Sequence, residues 1–244
     1  MACKTVREWL DFLGDDNSQK FAIECEGGMP AKPSYYKNKE DFVKELAGLS
    51  LRNIGLSIKN KDKTVYKDQG EIKFTYYGIS GPLTLSGSRY IKDNEEYKVL
   101  IDFKPALENQ ELDKRIQKDF KKYTNSKFEK ALDDLLPQKL IPYIIKLSEI
   151  DKDTLVHQIS REQRRSLVNL LKNVEFNIKN YKSIDEAIVT SGGIKTNEIN
   201  SSTMESKLVE GLFFAGEVID VDAYTGGFNL QIAFSTGYLA AINC

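Results

Sequence analysis

The stretch "VIDVDAYTGGFNLQ" at residues 218–231 places carboxylates and a glycine pair between an apolar run and a helical pattern. A helix start offers N–H groups that lack intrahelical partners, and it carries about half a positive charge. Glycine lets a ligand approach the backbone, because a Cβ there would collide with it. Acidic residues just before such a turn can accept hydrogen bonds from sugar hydroxyls. The pattern therefore indicates either a ligand-binding helix start or an ordinary tight turn, and both interpretations remain open.

Short alternating apolar runs upstream indicate β-strands that bury one face each. These runs contain Ile54, Leu56 and Ile58; Ile72, Phe74 and Tyr76; and Val99, Ile101 and Phe103. The tripeptide "DQG" at 68–70 is expected to turn the chain, and residues 78–91 are expected to interrupt the strands. Strands at such close spacing favour a small antiparallel sheet or barrel, which we expect over residues 42–107.

The apolar period then changes to that of helices. Leu112, Ile116 and Phe120 recur at every fourth residue, as on one face of an amphipathic helix. Pro137 and Pro142 are expected to divide the helical pattern that follows, because proline cannot donate to the helix ladder. We therefore predict a helical insertion over residues 108–173.

One further helix of this insertion begins with a recognisable cap. Ser160 and Gln163 have the spacing of a capping box. The arginines that follow, Arg161, Arg164 and Arg165, are expected on a solvated face, because the chain as a whole is almost neutral.

The last third of the sequence returns to strand patterns and ends in a helix. Strands are expected over residues 174–190, and the nearly continuous apolar run at 211–220 predicts a strand buried on both faces. The run after the glycine pair has helical spacing. At the other end, residues 1–41 contain an amphipathic helix pattern at 1–17, a strand candidate at 20–28 and an irregular, proline-containing connection.

Composition excludes several classes of protein. Basic and acidic residues number 35 and 36, which argues against a general nucleic-acid or membrane-surface binder. Asp113 and Asp119 further oppose nucleic-acid binding through the lysine-rich helix pattern at 114–122. No apolar run is long enough for a membrane span. Three scattered cysteines without a CxxC pair indicate a cytoplasmic protein. His157 is the only histidine, so no metal site built on two histidines is expected.

Three ordered motifs in residues 187–241 resemble the C-terminal end of the HI0933-like (BaiN/YhiN-type) flavoproteins, which are FAD-dependent oxidoreductases. The motifs are "VTSGGI", "TMESKLVEGLFFAGE" and "DVDAYTGGFNLQ". Farther upstream, "LAGLSLRNIGLSI" and "GEIKFTYYGISGPLTLSGSRYI" are similar to two more segments of this family. The resemblance covers residues 42–244. It implies an α+β, multi-domain fold: a small antiparallel β-barrel-like domain with a helical insertion, followed by the strand-turn-helix end of a FAD-binding α/β domain over residues 191–244.

The resemblance also implies a cofactor site. Glu217 would accept hydrogen bonds from the ribityl chain of FAD, and Asp220 would support the same region. The segment Gly226, Gly227, Phe228, Asn229 and Leu230 would direct backbone N–H groups at the pyrimidine edge of the flavin, where negative charge develops on reduction. The segment Thr190, Ser191, Gly192 and Gly193 would form a loop near flavin or substrate, although a plain turn is an equally good interpretation. No catalytic acid or base is evident.

The sequence departs from this family in its first part. Family members begin with a GxGxxG turn for the FAD pyrophosphate, and no two glycines of this chain are separated by a single residue. We therefore expect a truncated family member, in which residues 1–41 are a remnant and the FAD site is incomplete. Either it is an oxidoreductase that acts on an unknown small molecule, completed by an N-terminal FAD-binding chain, or it is a non-catalytic fragment or binding module.

Overall fold

The computed structural model describes residues 23–28, 41–92, 95–181, 189 and 191–244. The chain divides into two compact units, one of residues 23–180 and another that contains residues 181–244. The amphipathic helix predicted at 1–17 lies outside the described residues. The division into five segments that the sequence suggested stays a prediction.

The unit of residues 23–180 is built on a closed barrel of six antiparallel strands. In chain order these are β1 (Ile23–Gly28), β2 (Ser50–Asn60), β3 (Lys63–Phe74), β4 (Gly78–Ser80), β5 (Tyr97–Asp102) and β6 (Val174–Tyr181). Around the barrel they follow the order β1-β4-β3-β2-β5-β6. A closed barrel leaves no edge strand open to pair with another chain. The α+β fold class predicted from the sequence is thereby confirmed.

Alternating side chains of the barrel strands form its core. Ile58 of β2 lies opposite Val99 of β5, which lies opposite Phe176 of β6. All three side chains are fully buried. The alternation that predicted these strands therefore identified the inward face correctly.

Strand β3 is longer than the sequence predicted. Residues 68–70 do not turn the chain, because Asp68, Gln69 and Gly70 pair in register with Leu56, Gly55 and Ile54 of β2. The expected interruption at 78–91 contains β4 and helix α2 (Pro82–Ser88). Tertiary pairing with β2 overrides the local turn preference of an Asp-x-Gly sequence.

Helix α2 lies directly against the barrel core. A Cβ added at Gly87 would lie 2.7 Å from Cδ1 of Ile58 and 2.9 Å from Cδ1 of Tyr66. Both of these neighbours are buried. Glycine at this position therefore sets how closely the helix can approach the strands.

Helix α1 (Asp41–Glu45) precedes β2, and four more helices separate β5 from β6 in sequence. These are α3 (Asn109–Lys122), α4 (Phe128–Ala131), α5 (Ile141–Ser148) and α6 (Arg161–Lys172), with a 3-10 turn at Val156–Gln158 before α6. Pro142 lies in the first turn of α5, where its missing N–H costs nothing. The capping box at Ser160 and Gln163 is present.

Helices α3 and α6 are joined by an ion pair that the sequence did not predict. Arg164 Nε donates to Asp113 Oδ1 at 2.7 Å, and the Arg164 side chain is only 18% exposed. The expectation that Arg164 lies on a solvated face is therefore wrong, because the helix packing brings it opposite a carboxylate. The Arg164 guanidinium holds the pKa of the Asp113 carboxyl below its ordinary value.

Lys172, the last residue of α6, forms polar contacts that connect the helical insertion to the barrel. Its Nζ lies 2.6 Å from Asp102 Oδ2, at the end of β5. It also donates to the carbonyl oxygens of Lys104 and Leu107 at 3.0 and 2.8 Å. One ammonium group thus satisfies three acceptors at the point where the chain leaves the barrel.

The unit of residues 181–244 has a small core and one long helix, α7 (Phe228–Asn243). Ile194, Ile199, Met204 and Ile219 form its buried core, against which Leu239 and Ala240 of α7 pack. Two 3-10 turns, Thr196–Glu198 and Gly216–Val218, precede the helix.

The buried strand predicted over residues 211–220 is not formed. Single-residue bridges occur there instead, Glu205 with Phe213 and Ile194 with Ile219, and a 3-10 turn lies between them. Gly216 has a φ of 74°, which interrupts an extended conformation. In the described part of this unit, no neighbouring strand pairs along the segment.

None of the helices in the described residues has the length and apolar character that a membrane crossing requires. Those residues also contain no group of three or more His, Cys, Asp or Glu placed to hold a metal ion.

We predict that Asp113→Asn lowers the free energy of unfolding by about 1.5–3 kcal/mol at pH 7, since a charge-assisted hydrogen bond is lost. Because the pKa of Asp113 is lowered in the folded state, its contribution is present above the ordinary value of about 3.9 and disappears as the pH falls through the folded value. Urea unfolding of the variant and the original chain, at pH 7 and in acid, measures the difference in their free energies of unfolding at each pH. Asp153→Asn removes an exposed pair with Lys127 and should cost less; equal losses would contradict the prediction.

We predict that Gly87→Ala destabilises the protein by about 1–3 kcal/mol, because the new methyl group meets Ile58 and Tyr66. Gly237→Ala in α7 is the matched control, since an added Cβ there has no neighbour within 4 Å. That control should be neutral or stabilising by up to about 1 kcal/mol, because alanine favours helix. Thermal unfolding of both variants tests this prediction. An unchanged melting temperature for Gly87→Ala would refute the predicted destabilisation.

Candidate functional site

Helix α7 begins with the glycine pair that the sequence singled out. Gly226 and Gly227 have φ values of 125° and 94°, in the region that favours glycine. Gly227 is the N-cap residue, and none of the described side chains caps the helix there. In the described part of the chain, no atom lies within 4 Å of the position that a Cβ on Gly227 would take. The first backbone N–H groups of α7, which have no intrahelical partners, therefore lie beside open space.

The side chain of Asn229 fixes the loop that leads into the helix. Its Nδ2 donates to the carbonyl oxygen of Ala223 at 2.9 Å, and its Oδ1 accepts from the N–H of Ala223 at 2.8 Å. Both functional groups of the carboxamide are thus used within the protein. Asn229 therefore positions the loop of residues 221–225, and its carboxamide keeps one further N–H and one further acceptor site beyond these two bonds.

Thr236 fixes the turn that carries Glu217. The N–H of Gly216 donates to Thr236 Oγ1 at 2.9 Å, and this hydroxyl donates to the carbonyl oxygen of Ile232 at 2.7 Å. The 3-10 turn Gly216–Val218 is thereby held against the middle of α7. Sequence reasoning missed Thr236, although a threonine in an apolar helix is a recognisable signal for such back-bonding.

The second glycine loop lies beside this turn. The N–H of Ile194 donates to the carbonyl oxygen of Val218, and the N–H of Asp220 donates to the carbonyl oxygen of Ile194, both at 2.9 Å. A Cβ at Gly193 would lie 2.5 Å from the Val218 oxygen. The structure therefore brings Gly193, the last residue of the loop of Ser191, Gly192 and Gly193, next to residues 218–220. Thr190 lies outside the described residues.

A cavity of about 330 Å³ opens at the start of α7. This volume is at the lower end of the range for small-molecule pockets. Of the residues predicted from sequence, it is lined by Glu217, Gly226, Gly227, Asn229 and Leu230. Sequence reasoning missed the other lining residues, which are Val189, Gly216, Val221, Thr225, Ile232 and Ala233.

The other predicted residues that the structure describes do not line this cavity. Asp220 is half-buried and contributes its backbone to the bridge with Ile194. The ring of Phe228 is 61% exposed and lies 3.6 Å from the position that a Cβ on Gly226 would take. The loop of Ser191, Gly192 and Gly193 supports the turn rather than the cavity wall.

The cavity wall is chemically simple. Among the described residues that line it, Glu217 is the one titratable side chain. The other described lining residues are aliphatic residues, glycines, Thr225 and Asn229. These residues can bind and orient a ligand.

Comparison with known proteins agrees with the fold. Residues 35–189 match the family described as "HI0933-like protein barrel and H2TH domain". The chain is also similar to a 3-dehydro-bile acid delta(4,6)-reductase of Clostridium scindens, with 34% identity over 71% of this chain and 44% of the relative.

Two further relatives are ribosomal RNA dihydrouridine synthases. The one from Haemophilus influenzae is 33% identical over 86% of this chain and 50% of its own length. The one from Escherichia coli is 29% identical over 80% of this chain and 46% of its own length. The chain thus spans about half the length of the curated relatives it matches. By the matched barrel domain and these identities, the chain belongs to the HI0933-like protein family.

Proposed function

We propose that the cavity at the start of α7 is one side of a flavin site, and that the protein works as part of an FAD-dependent oxidoreductase. The observation that carries this proposal is the open, uncapped helix start at Gly226 and Gly227, which faces a cavity of about 330 Å³. A glycine-lined approach to backbone N–H groups suits a flat ring whose edge becomes negatively charged.

Each part of the cavity wall has a separate task in this proposal. The first backbone N–H groups of α7 would hold the ring by donating hydrogen bonds to it, and the positive end of the helix would favour its electron-rich form. Glu217 accepts hydrogen bonds from ligand hydroxyls, and Asp220 keeps the turn beside it in place. Val221, Ile232 and Ala233 exclude water. The flavin, when bound, supplies the two-electron chemistry.

The names of the relatives support a class of reaction. A delta(4,6)-reductase and a dihydrouridine synthase both reduce a carbon–carbon double bond. We therefore propose reduction of such a bond in a small molecule or nucleobase as the reaction of the complete assembly. The sparse cysteines support a cytoplasmic location.

We predict that FAD binds the purified chain weakly, with a dissociation constant on the order of 0.1–1 mM, equivalent to about −5.5 to −4 kcal/mol. Ala233→Leu fills the cavity and should weaken binding by at least tenfold. The control is Ala106→Leu at an exposed position of the barrel unit, which should leave binding unchanged. Quenching of flavin fluorescence during titration measures the dissociation constant of FAD for the original chain and for each variant. Failure of FAD to bind, or equal binding by the Ala233 variant, would refute the proposal and favour a non-catalytic module.

We predict that Glu217→Gln weakens FAD binding by about 10- to 100-fold, because a charged acceptor worth about 1.5–3 kcal/mol is replaced by a neutral one. Lumiflavin, which lacks the ribityl hydroxyls, should bind the variant and the original chain equally. Glu210→Gln, at an exposed position outside the cavity, is the matched control. Equal losses for FAD and lumiflavin would show that Glu217 does not contact the hydroxyls.

A further inference from the structure

The outward face of helix α3 presents a row of lysines to solvent. Lys114, Lys118 and Lys121 follow one another at spacings of four and three residues, which puts them on one side of the helix. All three are exposed, whereas Leu112 and Ile116 bury the opposite side. Within the described residues, none of these lysines has an ion-pair partner. The row is therefore an uncompensated positive charge on the surface of the helical insertion.

The two aspartates that interrupt this lysine-rich sequence are engaged by other side chains. Asp113 accepts a hydrogen bond from Arg164 Nε at 2.7 Å and another from Gln117 Nε2 at 2.6 Å. Asp119 is buried and accepts from Arg115 Nε at 2.9 and 3.1 Å. The sequence predicts that these carboxylates offset the lysines and oppose nucleic-acid binding. In the folded chain other cations neutralise both carboxylates, so they do not offset the lysine row.

Other carboxylates of the helical insertion are engaged as well. Asp134 pairs with Lys122 at 2.5 Å. Glu111, in the first turn of α3, accepts a hydrogen bond from the backbone N–H of Glu108 at 3.2 Å, as part of a capping box. The lysine row thus keeps its charge although the chain as a whole is almost neutral.

The first half of α6 extends the row of positive charge. Arg161 and Arg165 are exposed, and neither has an ion-pair partner among the described residues. Arg164 lies between them in sequence and is bound to Asp113, so this flank of α6 is turned toward α3. The hydrogen bond from Arg164 is the main reason that the pKa of Asp113 lies below its ordinary value, and the nearby charge of Arg165 adds to it. The two arginines and the lysine row therefore belong to one surface.

We propose that Lys114, Lys118, Lys121, Arg161 and Arg165, here called the basic face, bind the phosphate backbone of RNA. Cationic side chains that neutralise phosphates release counterions, which supplies affinity without reading the base sequence. The three lysines span about 10 Å along α3, or two helical turns, so the face can contact several phosphates of one strand.

The choice of RNA rests on the proposed function, in which a nucleobase is one of the two substrate classes. An enzyme that modifies a base reaches it most easily in a single strand, because a paired base must first be taken out of its stack. Contacts to phosphates position such a strand and leave the base free for the reaction. The positive charge of the basic face does not depend on that function.

Two other anionic partners fit the basic face less well. A helix that lies on a membrane buries apolar side chains in the lipid next to its basic ones, but Leu112 and Ile116 of α3 are already fully buried within the protein. A protein interface normally has aromatic or aliphatic side chains at its centre, and none belongs to the basic face. A surface that offers charge alone is typical of binding to a phosphate backbone.

The experiment measures binding of a fluorescein-labelled single-stranded RNA of about 20 nucleotides to the full chain, by fluorescence anisotropy, as the salt concentration rises from about 50 to about 200 mM. The combined variant Lys114→Gln, Lys118→Gln and Lys121→Gln should bind this RNA about 10- to 100-fold more weakly. The slope of log K against log salt should become smaller by about 2, because three phosphate contacts are lost.

The matched control removes three exposed lysines from the β2–β3 hairpin, as Lys61→Gln, Lys63→Gln and Lys67→Gln. It makes the same change in net charge and should leave RNA affinity and the salt slope unchanged. Circular dichroism confirms that both triple variants are folded. Arg161→Gln with Arg165→Gln tests the α6 part of the face and should also weaken RNA binding.

Several results would overturn the proposal. They are equal losses in the hairpin and α3 variants, unchanged binding by the α3 or the α6 variant, no RNA binding by the original chain, and tighter binding of duplex DNA or of phosphatidylserine vesicles than of RNA. FAD binding is measured separately. RNA binding through the basic face by a chain that does not bind FAD would refute the flavin proposal alone. FAD binding by a chain that does not bind RNA would refute the present inference alone.

Discussion

Two backbone hydrogen bonds hold the candidate site together. They join Ile194 to Val218 and Asp220, and they bring the two glycine loops of the chain side by side. Gly193 permits this approach, because any Cβ there would collide with the Val218 oxygen. The turn that carries Glu217 is held by this contact on one side and by Thr236 of α7 on the other, so this part of the cavity wall depends on both.

The barrel and the helical insertion are stabilised by buried side chains and by ion pairs between their elements. Their cores are fully buried, and charged side chains such as Arg164 and Lys172 join helix to helix and helix to strand. The unit of residues 181–244 has a core of only a few residues, and its helix is exposed. The barrel unit thus has an extensive buried core, whereas the other unit leaves the outer side chains of α7 exposed.

Much of the fold could be predicted from periodicity. The alternation at Ile54, Leu56 and Ile58 identified the inward face of β2, and Ser160 with Gln163 identified the start of α6. Contacts between distant residues could not be predicted. The pairing of Asp68 with Leu56 converts a turn sequence into strand, and the pair of Arg164 with Asp113 arises from helix packing. In the site, the glycines were evident from sequence, whereas Thr236 and Ala233 act through positions that only the folded chain defines.

The lack of charge from Ala223 to Cys244 also has a consequence in the cell. Chaperones and quality-control proteases act continuously on proteins that expose apolar segments. The exposed apolar side chains of α7 therefore make this chain prone to aggregate at high concentration wherever they stay uncovered.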